Sequence, residues 1–107
     1  GDGTQGSGDV VWDNERQYGF LQLQGFAPND PHAARYQLWI FDADRDDRYP
    51  VDGGVFDVPA GRNVVVIPVK PAVRVARPTA FAVTVERPVG AVVSSREQVV
   101  AIAHTDR

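Results

Sequence analysis

The stretch Tyr36-Gln37-Leu38-Trp39-Ile40-Phe41-Asp42 decides how the rest of the chain is read. Alternation places Tyr36, Leu38 and Ile40 on one side and Gln37, Trp39 and Phe41 on the other. Both sides carry large apolar groups, so the spacing predicts a central strand covered on both faces rather than a lone edge strand. Past its end the chain turns acidic at Asp42, Asp44, Asp46 and Asp47. A turn through Tyr49-Pro50-Val51-Asp52-Gly53-Gly54 then leads into a brief strand over residues 55–58.

Working outward, the flanking segments follow the same period. Asp9-Val10-Val11-Trp12-Asp13 reads as a short strand to which Trp12 gives the core residue, ended by Asn14-Glu15-Arg16. Residues 18–26 place Leu21 and Leu23 on one face and Gln22 and Gln24 on the other, as in a half-exposed strand. Pro28 and Pro31, with Asn29 and Asp30 between them, make 27–34 a loop. Residues 63–69 are β-branched and apolar on both faces, and Pro68 marks an edge or a break. Between Pro71 and Pro78 lies either an extended edge segment or a loop. Residues 79–86 alternate with Phe81, Val83 and Val85 inward and Ala82, Thr84 and Glu86 outward, which makes this the clearest amphipathic strand. Pro88-Val89-Gly90 and 94–98 read as turns, 99–103 as a last strand, and His104 as the start of a polar tail.

With ten glycines and eight prolines distributed along 107 residues, no window of helix length survives uninterrupted. The expected fold is therefore all-β, an antiparallel two-sheet β-sandwich of about seven strands, with a small barrel as the alternative. One domain accounts for the length: a flexible leader over 1–8, the folded unit over 9–104, and a tail over 105–107. Net charge is −3, with 11 basic against 14 acidic residues, so no basic face for nucleic acid is implied. Cysteine is absent, which removes disulfides, thiolate metal ligands and cysteine nucleophiles. Nothing approaches a membrane-spanning apolar run. The absence of methionine points to a piece of a longer protein and leaves room for a membrane anchor upstream of Gly1.

Few residues suggest chemistry. Asp42, Asp44 and Asp46 open like a calcium loop, because oxygen ligands at alternate positions converge on one ion. The pattern then fails, since an EF-hand counted from Asp42 needs glycine where Asp47 stands and an acid where Gly53 stands. Arg45 and Arg48 also offset the charge, so a solvated, ion-paired loop is the favoured reading. Hydrolysis would need a nucleophile, a base and an orienting acid from Ser94, Ser95, Thr79, His32 and His104, and no nucleophile-elbow pattern is present. The expectation is that the domain is not an enzyme and carries no cofactor or metal. Trp12, Tyr36 and Trp39 offer rings for a sugar-binding face, against which stands their use as core. Trp39→Ala is accordingly expected to cost about 3–5 kcal/mol, as a buried large-to-small change. Gly53-Gly54 and Pro88-Val89-Gly90 are turns rather than phosphate cradles, because no strand-to-helix junction follows either.

Four pieces in order carry a family resemblance: Trp12-Asp13, Tyr36-Gln37-Leu38-Trp39-Ile40, Gly53-Gly54-Val55-Phe56, and Phe81-Ala82-Val83-Thr84-Val85-Glu86-Arg87-Pro88-Val89-Gly90. Across residues 10–103 the chain resembles the C-terminal domain of anti-sigma-K factor (RskA-type) proteins. It departs from that pattern at Val92-Val93-Ser94-Ser95-Arg96, where the family often has a Pro-Thr-Gly piece, and in the length of its acidic insertion. The resemblance implies an extracytoplasmic sensory domain, anchored through one upstream helix, of a regulator whose missing N-terminal segment binds a sigma factor. Release of that sigma factor would follow regulated proteolysis by a site-1 type protease. The alternative is a secreted or surface-attached module that binds carbohydrate or a cell-wall ligand.

Overall fold

The computed structural model describes residues 6–87 and the backbone of residues 99–104. All the regular structure among them is strand: β1 (Ser7–Asp13), β2 (Tyr18–Gln24), β3 (Arg35–Asp42), β4 (Val51–Phe56), β5 (Val64–Val69), β6 (Pro78–Glu86) and β7 (Val99–His104). Every pairing is antiparallel, and the strands form two sheets, ordered β1-β2-β5 and β4-β3-β6-β7.

The sheets face one another across a common core. Leu21 and Leu23 of β2 and Val69 of β5 meet Tyr36, Leu38 and Ile40 of β3 and Phe81 and Val83 of β6, all with 3% exposure or less. Each residue sits where its strand parity puts it, so the alternating pattern is the direct cause of this core. Trp12, Val10, Val65, Ile67 and Val85 close its margins. At one border β1 runs beside β7, and at the other the chain leaving β5 bonds to β4, Lys70 N–H donating to Gly53 O at 3.1 Å and Ala72 N–H to Asp52 O at 2.9 Å. An aromatic stack fills one end: Tyr36 lies parallel to Phe56 at 5.4 Å and edge-on to Phe26 at 5.6 Å, and its hydroxyl donates to Ala27 O.

Several expectations are corrected. β1 begins at Ser7, two residues inside the segment read as a leader, because Ser7 and Gly8 pair with Gln24 and Leu23. Gly53 and Gly54 are not a turn but lie within β4, whose register shifts opposite Leu38 and Trp39. A side chain on Gly53 would meet Leu38 Cγ at 2.9 Å, and Gly54 takes φ +113, so the bulge needs glycine at both positions. Gly19 is similarly fixed, since a Cβ there would collide with the Val11 carbonyl and stand 3.0 Å from the Trp12 ring. Of the two readings open for the segment between Pro71 and Pro78, residues 71–77 take the loop. β5, which contains Pro68, is an edge strand of its sheet, which explains how a proline fits there.

Two further corrections concern β3 and β6. Trp39 is not a core residue: it points away from the cluster between the sheets and is half-buried. Ala82 and Thr84, expected to face solvent, are 4% and 1% exposed. Trp39 lies opposite Ala82 and its indole N–H reaches Thr84, so side chains of the neighbouring strand cover the polar parity of β6 and it is not a solvent face. His104 is the last residue of β7, opposite Ala80, rather than the start of a tail. The turns expected at 88–90 and 94–98 lie outside the described residues.

Candidate interaction surface

The acidic run does not converge on a point. Asp42, at the end of β3, is 4% exposed and turns inward to hold the 71–77 loop: its carboxylate accepts the N–H groups of Asp44 (2.9 Å), Ala76 (2.9 Å) and Arg77 (3.2 Å). Burial pushes its pKa up, and the three backbone donors together with the Arg45 charge more than reverse this, leaving it below the ordinary carboxylate value. Asp44 pairs with Arg77 at 2.8 Å, and Asp46 pairs with Arg48 at 2.8 Å, which lowers the Asp46 pKa. Asp47 is exposed. Among the described residues no group of three or more His, Asp or Glu side chains could hold a metal ion.

Other side chains tie the same loop from the opposite sheet. Gln17, at φ 56 in the β1–β2 turn, brackets Val75 by accepting its N–H at 2.7 Å and donating to its carbonyl at 2.8 Å. Asn14 donates to Ala76 O and accepts the Trp12 indole N–H, each at 3.0 Å. These bonds hold Val75 fully buried. At the other end Asp57 takes a bidentate pair from Arg35 (3.0 and 2.7 Å) and a bond from Asn29, so its pKa is lowered by Arg35 first and Asn29 second. The polar clusters at both ends therefore bind protein backbone or each other.

Among the described residues, those considered for hydrolysis are not assembled. Thr79 Oγ1 donates to Phe41 O at 3.2 Å. His32 is exposed in the turn preceding Arg35, which pairs with Glu86, whereas His104 is opposite Ala80, near the far ends of β3 and β6. Ser94 and Ser95 lie outside the described residues. A shallow open hollow of about 590 Å³ is lined by Trp12, Asp13, Asn14, Glu15 and Arg74.

The three rings considered for a sugar platform occupy different places. Tyr36 is 3% exposed in the core, Trp12 faces inward against Phe81 at 6.1 Å, and Trp39 lies on the outside of β3. Its indole N–H donates to Thr84 Oγ1 at 2.9 Å, and the Thr84 hydroxyl donates to Glu86 Oε2 at 2.7 Å. Beside it Gln37, 6% exposed, donates to Asp52 Oδ1 at 2.6 Å. The outer side of β3-β6 is thus tied by hydrogen bonds, while Val55 of β4, opposite Gln37, stays 47% exposed.

The more extended open apolar surface among the described residues is on the other sheet. Val11 (70% exposed), Phe20 (40%) and exposed Pro68 form one row across β1, β2 and β5. Tyr18 packs edge-on to Phe20 at 5.1 Å, and Val66 and Val64 extend the patch along β5. The sequence hides this surface because Gln22 and Gln24 share the parity of Tyr18 and Phe20 and give that face a polar look. The signal was present in β5, where residues of both parities are apolar. No family model, curated protein or solved structure matches the chain.

Proposed function

We propose that this chain is a non-enzymatic extracytoplasmic regulatory domain of a membrane-anchored anti-sigma factor, controlling an extracytoplasmic-function sigma factor through regulated proteolysis. One observation carries the reading beyond the sequence resemblance. The Tyr36-Gln37-Leu38-Trp39-Ile40 and Phe81-Ala82-Val83-Thr84-Val85-Glu86 pieces are hydrogen-bonded neighbours, and Gly54-Val55-Phe56 pairs with β3 on its other side. Three of the four recurring pieces thereby form one continuous sheet, tied across its outer side by Trp39, Thr84 and Glu86. They build a scaffold rather than a reacting centre, as a sensory or protective domain requires. We read the two sheets as a seven-stranded β-sandwich.

In this role the domain stands outside the membrane and governs access of a site-1 type protease to the segment that joins it to the membrane helix. The sigma factor binds a part of the protein that this chain does not contain. The test uses the whole gene product. One membrane-spanning helix should precede Gly1, a sigma factor should copurify with the segment before that helix, and deletion of 9–104 should change how fast the sigma factor is released. Absence of the helix, or of any sigma factor, overturns the proposal.

A further inference from the structure

We infer that the outer face of the β1-β2-β5 sheet is a self-association surface, occupied by the same face of a second copy of this chain. The inference is independent of the anti-sigma reading. It rests on the pairing register. One row across the sheet runs Val11, Phe20, Pro68, and the row toward the β1–β2 turn runs Asp13, Tyr18 and then Lys70, which follows the Gly19–Val69 pair. The β1 border of this face is therefore acidic and the β5 border basic at the same height along the strands. Asp13 and Lys70 are both exposed, and the ion pair of Asp13 with Arg16, long at 3.7 Å and open to solvent, is weak enough for the second copy's Lys70 to share the carboxylate.

A two-fold axis parallel to β2 and lying in the contact plane lays β1 of one copy over β5 of the other. That operation sets Asp13 over the second copy's Lys70, Lys70 over its Asp13, Tyr18 and Phe20 over their own counterparts, and Val11 over Pro68. Charges of opposite sign meet at both borders, and apolar residues meet between them. The opposite choice, an axis perpendicular to the strands, sets Asp13 on the far side from any Lys70 and loses both pairs. Two twisted sheets pack this way with their strands about 30° apart.

The size of the face limits the affinity. Strands of 7, 7 and 6 residues span about 24 Å by 14 Å, below the roughly 800 Å² per partner of a standard stable interface. The dimer is accordingly a weak, exchanging one, with a dissociation constant on the order of 10–100 µM.

Sedimentation velocity of the 107-residue chain across a dilution series tests this. The expected result is a monomer–dimer equilibrium that Phe20→Glu or Val66→Lys weakens by at least about tenfold. Lys70→Glu and Asp13→Lys should each weaken it alone, by placing like charges together at both borders. A one-to-one mixture of these two variants should recover the dimer, because both pairs are again opposite in sign. Asp13 also accepts the N–H groups of Glu15 and Arg16, so circular dichroism must first confirm that its variant is folded. If it is not, Lys70→Glu and Phe20→Glu decide the matter. A chain that stays monomeric at about 0.5 mM, a dimer indifferent to Phe20→Glu and Lys70→Glu, or a monomer whose face instead binds a glycan overturns the inference.

Discussion

On the outside of β3 the indole of Trp39 spans to Thr84, and the neighbouring Gln37, Ala82 and Thr84 are all buried; on the outside of β2, Phe20 and its neighbours Val11 and Val66 stand open. Both faces carry an aromatic residue flanked at the same parity by one glutamine and one further aromatic, Gln37 and Phe41 beside Trp39 and Gln22 and Tyr18 beside Phe20, so composition does not separate them. What separates them is position in the sheet and the partner across the strand. Trp39 faces Ala82, a small residue over which a large ring can lie, and is one strand from a threonine that accepts its N–H. Phe20 faces Val11 and Pro68, which offer neither space beneath the ring nor a hydrogen bond. A ring with a polar handle and a small neighbour closes its own surface, and a ring without them leaves a surface for something else to cover.

Substitutions break or sharpen this contrast in a graded way. The inner side, shared by both sheets, sets the upper scale: Leu38→Ala, at full burial, should cost about 3–5 kcal/mol in denaturant unfolding. Trp39→Ala should fall below that, at about 2 kcal/mol, because the ring is half-buried and the loss combines partial apolar burial with one hydrogen bond to Thr84. A cost as large as that of Leu38→Ala would return Trp39 to the core and erase the difference between the two outer faces. Thr84→Val, which removes the acceptor while keeping shape, should cost about 1 kcal/mol. Phe20→Ser should change the stability of the monomer by no more than about 0.5 kcal/mol. A larger loss would mean that the open face is structural.

The loop joining the two sheets sharpens the comparison by pH. It is held by Asp42 from one sheet and Gln17 from the other, and only the first anchor titrates. Because the native pKa of Asp42 lies below its ordinary value of 3.8, its contribution is complete above that value. It is lost as the pH falls through the lowered native value, where the protonated carboxyl no longer attracts three N–H groups. Asp42→Asn should therefore destabilise the chain by about 1.5–3 kcal/mol at neutral pH, with the gap to the wild type narrowing below pH 3.8. The cost of Gln17→Ala should stay constant over the same range. Melting temperatures recorded against pH for the two variants check this.

Strand positions were legible because β2 and β6 alternate and β3 and β5 are apolar on both parities, and the inward set of Leu21, Leu23, Phe81 and Val83 follows from parity alone. Side-chain fate on the outward set was not, since it depends on which strand lies next door. Thr84 and Ala82 look solvent-facing until Trp39 is known to cross them. Gly53-Gly54 has the composition of a turn, and only the pairing of β4 with β3 turns it into a bulge. The acidic run illustrates the same limit: Asp42 differs from Asp46 and Asp47 only by being at a strand end where another loop's N–H groups arrive.

The most direct test is a concentration series of ¹H–¹⁵N correlation spectra, because it views both outer faces at once. The account predicts that amide shifts moving with concentration cluster at Val11, Tyr18, Phe20, Val66 and Lys70, while Trp39, Ala82 and Thr84 stay fixed. Shifts centred on Trp39 and Thr84, or none on the β1-β2-β5 face, would contradict it.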